Sequence, residues 1–255
     1  NLAGYSLGGF NAAYVSLLDE ERETFNFERV LLINPPVSLY NSISLLDRMI
    51  ENIPGGVDNF DLFINRLMSA FTDVYAESDD DLGEDFLLKA YQALELKDEE
   101  LAALIGTSFR ISSASLVFTS DLMTDFGYIK PRGLPVDRYT DLSVYNAVAN
   151  RLGFTDFYHR FFYPYYREEY PDRTRDEFIN AISLAEIADY LRGADKISVM
   201  HNEDDVILEP GEIDFFTDVF GGRATIYPYG GHCGNMNHRD NVARMLATFT
   251  GGTVQ

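Results

Sequence analysis

Asn1-Leu2-Ala3-Gly4-Tyr5-Ser6-Leu7-Gly8-Gly9 opens the chain, and its reading decides the fold. Gly4-Tyr5-Ser6-Leu7-Gly8 fits G-x-S-x-G, the pattern of a sharp strand-to-helix turn with a serine at its tip. Asn1-Leu2-Ala3 reads as the end of a buried strand. Behind the turn, Phe10, Ala13, Tyr14, Leu17 and Leu18 recur at helical spacing. Such a turn holds its serine in a strained backbone conformation. Glycines are expected two residues before and two after, where a side chain would collide across the turn. The helix start aims its free N–H groups and positive dipole end at the serine, where an oxyanion would develop in acyl transfer. A pentapeptide alone also fits a glycine-rich turn with a bystander serine; the helix after it favours the elbow.

Outward from the turn, Asp19-Glu20-Glu21 puts acid at a helix C-terminus, against the macrodipole, so packing is expected to end the helix there. Arg29 to Asn34 reads as a fully buried strand closed by Pro35-Pro36. Strand, helix and strand make a βαβ unit and hence a parallel sheet.

The 255 residues suffice for a large core, and 46% of them are hydrophobic, with no apolar run that reads as a membrane span. The net charge of −21, from 41 acidic and 20 basic residues, argues against general nucleic-acid binding and for a self-repelling surface. Cys233 is the one cysteine, which excludes an internal disulfide and a multi-cysteine metal site. Localisation is not legible.

From 39 to 195 the chain reads as helical. Helices are expected over 42–50, then from Asp58 as an N-cap with the stripe Phe60, Phe63, Leu67, Phe71 and Val74, then over 86–94, 98–105, 108–126, 142–152, 176–181 and 183–191. Asp79-Asp80-Asp81 reads as a solvated loop and not a metal site, because no second ligand cluster accompanies it. Between Phe154 and Tyr170 lie nine aromatic side chains, among them Phe157, Phe161 and Phe162. They read either as an aromatic lining for an apolar substrate pocket or as ordinary helical core.

Periodicity then changes. Strands over 196–201 and 223–229 flank a helix over 211–219, and a last helix is expected over 241–249. An acidic pair, Asp204-Asp205, follows the first strand, and Gly231-His232 follows the second. Acid and histidine thus come after the serine in the order Ser, Asp, His.

On these residues the chain resembles the α/β-hydrolase superfamily. The elbow matches at Gly4, Ser6 and Gly8. The family's H-G-x-x-D turn is met by His201-Asn202-Glu203-Asp204-Asp205, with Asn202 in place of glycine and Asp204 as the runner-up acid. The histidine loop matches at Gly231-His232, 27 residues after Asp205. The resemblance implies an α/β fold with a mostly parallel sheet: hydrolase core at 1–38, a helical cap insertion at 39–195, and core again at 196–255. It implies Ser6 as nucleophile, His232 as base, Asp205 as its orienting acid, the Leu7 N–H as an oxyanion donor, and no cofactor or metal. Tyr5, Phe157, Phe161 and Phe162 are the expected substrate-binding residues, and the expected substrate is a small-molecule ester or thioester with an apolar acyl or aryl group. Peptidase and acyltransferase chemistry would use the same triad; a non-catalytic ligand-binding or scaffold protein is the rival from another class. The family's early strands and second oxyanion donor would precede Asn1, so the expectation is an incomplete sheet, truncated beside the elbow, with Leu2 exposed or irregularly paired.

Overall fold

The computed structural model describes residues 1–76, 89, 92, 94 and 96–251. Asp79-Asp80-Asp81 and most of the helix expected over 86–94 lie outside the described residues. In chain order come β1 (Leu2–Tyr5), α1 (Leu7–Arg22), β2 (Val30–Ile33), α2 (Leu39–Arg48), α3 (Phe60–Ala76), α4 (Asp98–Thr124) and α5 (Ser143–Ala149). Then follow α6 (Phe154–Phe157), a π-helical turn (Tyr158–Phe162), α7 (Tyr163–Glu169), α8 (Arg175–Ala181), α9 (Ala188–Gly193), β3 (Ile197–Asn202), α10 (Glu212–Phe220), β4 (Ala224–Tyr227) and α11 (Arg239–Thr250). They form two compact units, one of residues 1–45 with 170–255 and one of 46–169.

The first unit is a mixed α/β body around a four-stranded parallel sheet in the order β1-β2-β3-β4. Alternation along the strands divides its core in two. Val30, Leu32, Ile197 and Val199 pack with Phe10 and Ala13 of α1, Leu191 of α9, and Phe216 and Phe220 of α10. Leu31, Ile33 and Met200 pack on the other face with Met245 and Phe249 of α11. Buried on both faces, β2 has no polar residue to spare, which is why its sequence reads as one apolar run.

β1 is the edge strand, and its residues alternate between partly buried and exposed where the end of a buried strand was expected. The sheet does end at the elbow side, but Leu2 is partly buried and regularly paired with Val30. α1 ends where packing requires it. Asp19, on its last turn, is buried and accepts the N–H groups of Phe25 and Phe27, folding the chain back toward β2. Leu18, expected inward, is exposed.

The compact helical unit, 46–169, lies within the 39–195 expected for the insertion: it begins later and ends earlier. α8 and α9 belong to the sheet unit, and Leu191 of α9, with Leu184 and Ile187 of the 3-10 turn before it, is buried in the core of β2, β3 and α1. The stems of the insertion lie side by side. Ser38 and Ser183 form an antiparallel bridge, and the Leu39 and Leu184 N–H groups donate to Ile182 O and Val37 O. Tyr14 Oη of α1 donates to Ser183 O at 2.7 Å and locks the join.

The second unit is helical. Phe63, Leu67 and Val74 bury the stripe of α3, but Asp58 lies within a 3-10 turn (Val57–Asn59) and caps nothing. The helices expected over 98–105 and 108–126 are one continuous α4. Gly106 does not break it; a Cβ there would stand 2.4 Å from the Ile50 amide nitrogen, so glycine allows the helix to pack against the 3-10 turn Met49–Asn52. Joined, α4 is long and apolar enough to cross a membrane by length and composition alone. Its polar residues show a core helix instead: Arg110 is buried in an ion pair with Asp47, and Asp121 is buried and accepts four backbone N–H groups from 127–130.

Candidate active site

Ser6 joins β1 to α1 with φ 53° and ψ −128°, a backbone conformation that L-residues rarely adopt. It is held there from both sides. Its N–H donates to Ile33 O at 2.8 Å, and its carbonyl accepts the Gly9 and Phe10 N–H groups. Those bonds use two of the first amides of α1. The Leu7 and Gly8 N–H groups have no protein acceptor among the described residues, and they sit at the positive end of a 16-residue helix beside the Ser6 hydroxyl.

The glycines of the turn do not act alike. A Cβ on Gly4 would lie 2.1 Å from the Gly8 carbonyl oxygen, a backbone clash that nothing can relieve. A Cβ on Gly8 would meet nothing within 4 Å, so the collision expected there does not arise; Gly9 is the tighter neighbour, 3.2 Å from Pro35 Cβ. Gly4→Ala is therefore expected to cost about 3 kcal/mol or more, whereas Gly8→Ala should stabilise the helix by about 0.5–1 kcal/mol. Urea unfolding of the two variants checks this, and equal midpoints would contradict it.

The three sequence-selected residues come together. His232 Nε2 lies 2.8 Å from Ser6 Oγ, and its Nδ1 lies 3.0 Å from Asp205 Oδ2 and 3.1 Å from Oδ1. The carboxylate requires an N–H at Nδ1, which leaves Nε2 as the acceptor for the serine hydroxyl. The Asp205 side chain is fully buried, yet its charge is satisfied: the Ile207 N–H donates to Oδ1 at 3.1 Å and Asn34 Nδ2 to Oδ2 at 3.0 Å. Ser6 and His232 remain partly exposed.

Asp204, the alternative acid, serves the loop instead. Its oxygens accept the Gly231 N–H at 2.7 Å and the Gly230 N–H at 3.2 Å. Asn202, standing where glycine was expected, donates to Gly231 O at 2.8 Å and exchanges hydrogen bonds with the Asn235 side chain. The histidine loop is thus clasped to the end of β3, the strand that carries the acid. Cys233, next to His232, has φ 62°; burial and the nearby Asp205 push its thiol up to about 11, so it stays protonated.

His201 lies under the acid, wholly buried and stacked 4.6 Å from Phe216. Nε2 donates to Pro35 O at 3.0 Å and Nδ1 accepts the Asn202 N–H at 2.9 Å, which fixes the neutral ring. Burial lowers its pKa against the opposing pull of Asp205. The unfolded state then binds the extra proton below about pH 6.5, so stability falls on acidification, by up to about 1.4 kcal/mol per pH unit, until the depressed folded pKa is reached. His201→Gln should remove that part of the slope of unfolding free energy against pH; an unchanged slope would exclude this origin.

Tyr5 is exposed beside Ser6. Phe157, Phe161 and Phe162 lie in the helical unit. Phe161 is buried there, stacked on Phe157 at 5.1 Å and on Tyr165 at 5.8 Å and edge-on to Phe126 at 5.1 Å. Phe162 stacks on Tyr158 at 5.5 Å. The rings of all three pack against other rings of the same unit, and the π-helical turn that carries Phe161 and Phe162 gives them their spacing. No group of His, Cys, Asp and Glu among the described residues is arranged to hold a metal ion.

Asn34 is the residue that sequence reasoning passed over. It closes the strand expected over 29–34, although an Asn ending an apolar run before Pro35-Pro36 is a turn signal in its own right. In comparisons with known proteins, no family model matches the chain, and no curated protein and no solved structure gives a match.

Proposed function

We propose that the chain is a serine hydrolase of the α/β-hydrolase type that cleaves a carboxylic ester or thioester through an acyl-enzyme. One observation carries this reading: Ser6, held at φ 53° at the start of α1, is linked through His232 to the buried Asp205 by hydrogen bonds of 2.8 and 3.0 Å. A serine hydroxyl is a weak nucleophile unless a base takes its proton during attack. His232 Nε2 is in place to take it, and Asp205 holds the ring in the required tautomer and stabilises the imidazolium. The carbonyl oxygen of the tetrahedral intermediate takes the Leu7 N–H. His232 then returns the proton to the leaving group. A water deprotonated by the same nitrogen attacks the acyl-enzyme and releases the acid and Ser6. The net charge of −21 disfavours anionic substrates, so the acyl or aryl group is proposed to be apolar.

Incubation with a fluorophosphonate probe tests the reading. The phosphonyl group is expected on the peptide that contains Ser6, located by mass spectrometry. A protein that stays unlabelled while folded sinks the proposal and returns the fold to a binding role.

A further inference from the structure

β2 enters the site by one residue, Asn34. It is 2% exposed, and its φ of 45° is a left-handed conformation that Asn tolerates better than most side chains. Its backbone is tied across the sheet, with its N–H donating to Met200 O at 2.8 Å. The carbonyl of the next residue, Pro35, accepts from His201 Nε2. The preceding carbonyl, of Ile33, accepts the Ser6 N–H. Asn34 is therefore fixed between the strand that delivers the nucleophile and the strand that delivers the acid. From there Nδ2 donates to Asp205 Oδ2 at 3.0 Å.

We infer that Asn34 is a positioning residue: its amide holds the Asp205 carboxylate in the rotation that presents both oxygens to His232 Nδ1. The chemistry requires an amide. A carboxylate between two donors, Ile207 N–H on Oδ1 and Asn34 Nδ2 on Oδ2, is pinned at both oxygens and cannot turn about its own axis. A neutral donor does this without adding charge. A cation at that place would compete with His232 for the carboxylate, and a carboxylate would repel it. The titratable groups around Asp205 are His232, His201, whose Nδ1 is 3.8 Å from Oδ2, and Cys233; Asp204 is its neighbour in the chain. Of these, only His232 changes protonation in the proposed reaction.

The consequence for turnover rests on the hydrolase reading; the hold on the carboxylate does not. The experiment separates them by following the His232 ring in isotopically labelled protein by NMR against pH, alongside the rate of fluorophosphonate labelling. Two variants are used, both compatible with positive φ. Asn34→Asp keeps the shape and replaces the donor by a second carboxylate. It is expected to raise the His232 midpoint by about one pH unit or more and to move the labelling profile to higher pH with it. Asn34→Gly keeps the backbone and removes the amide; labelling is expected to slow at least about 10-fold, with circular dichroism confirming the fold. If Asn34→Asp does not fold, Asn34→Gly decides alone. A purely structural asparagine would lower the unfolding midpoint of Asn34→Gly and leave its His232 titration and labelling rate at wild-type values, and that result overturns the inference. Absent labelling of the wild-type protein with a shifted His232 midpoint in Asn34→Gly would refute the hydrolase reading and keep the positioning role.

Discussion

Ser6→Ala is expected to abolish acyl-enzyme formation and to lower kcat about 10⁶-fold, since members of a triad act as a unit. Without the hydroxyl, His232 has no proton to take and no covalent intermediate can form. What remains is the Leu7 N–H at the helix start and whatever binding the site provides. The backbone predicts a second result at the same position. A residue with φ 53° and ψ −128° carries strain that glycine does not, of order 1–3 kcal/mol. Ser6→Gly should therefore be as inactive as Ser6→Ala but unfold at a higher denaturant concentration than the wild type. Hydrolysis of a nitrophenyl ester measures the first effect and urea unfolding the second. Undiminished ester turnover by Ser6→Ala would remove Ser6 from the mechanism.

Asp205→Asn is expected to cost about 10⁴-fold in kcat, because an amide at that place favours the wrong histidine tautomer and cannot stabilise the imidazolium. The neighbouring Asp204→Asn is the informative contrast. It leaves the carboxylate at His232 in place and weakens only the clasp, since an amide oxygen can still accept the Gly231 N–H that Asp204 holds at 2.7 Å. A loss of about 10-fold, the loop being less well placed, is expected. Steady-state kinetics of both variants on one ester separates them; a crippled Asp204→Asn beside a nearly normal Asp205→Asn would reverse the assignment.

Much of this was legible because it rests on local rules. Gly4 and Ser6 declare a turn, β2 declares itself by four consecutive apolar residues, and Asp205 and His232 fall at the ends of two apolar strands in chain order. What was not legible depends on partners distant in sequence. Nothing in Leu2–Tyr5 says that Leu2 pairs regularly with Val30; that follows from the register of the two strands. Gly8 looks as indispensable as Gly4, and only the packed turn shows that its Cβ would enter open space. Gly106 looks like a helix stop, but the backbone of Ile50 explains it as a packing glycine. Helical periodicity runs on to 195, while the burial of Leu184 and Leu191 against β2 and β3 ties the chain from 184 onward to the sheet unit. Asn34 was missed for the same reason: its meaning lies 171 residues away.

The paired stems at Ser38 and Ser183 bear on how such a chain can change. Since Ser38 and Ser183 are paired within the sheet unit, the length of the segment between them is not coupled to strand spacing or register. Lengthening it costs the sheet only loop-closure entropy, which grows as the logarithm of length, about 0.6 kcal/mol for each doubling. A point of insertion with that property tolerates growth, shrinkage or wholesale exchange of what it carries, while Ser6, Asp205 and His232, all outside it, keep their geometry. Variation among forms of this protein is therefore expected to concentrate between these two serines.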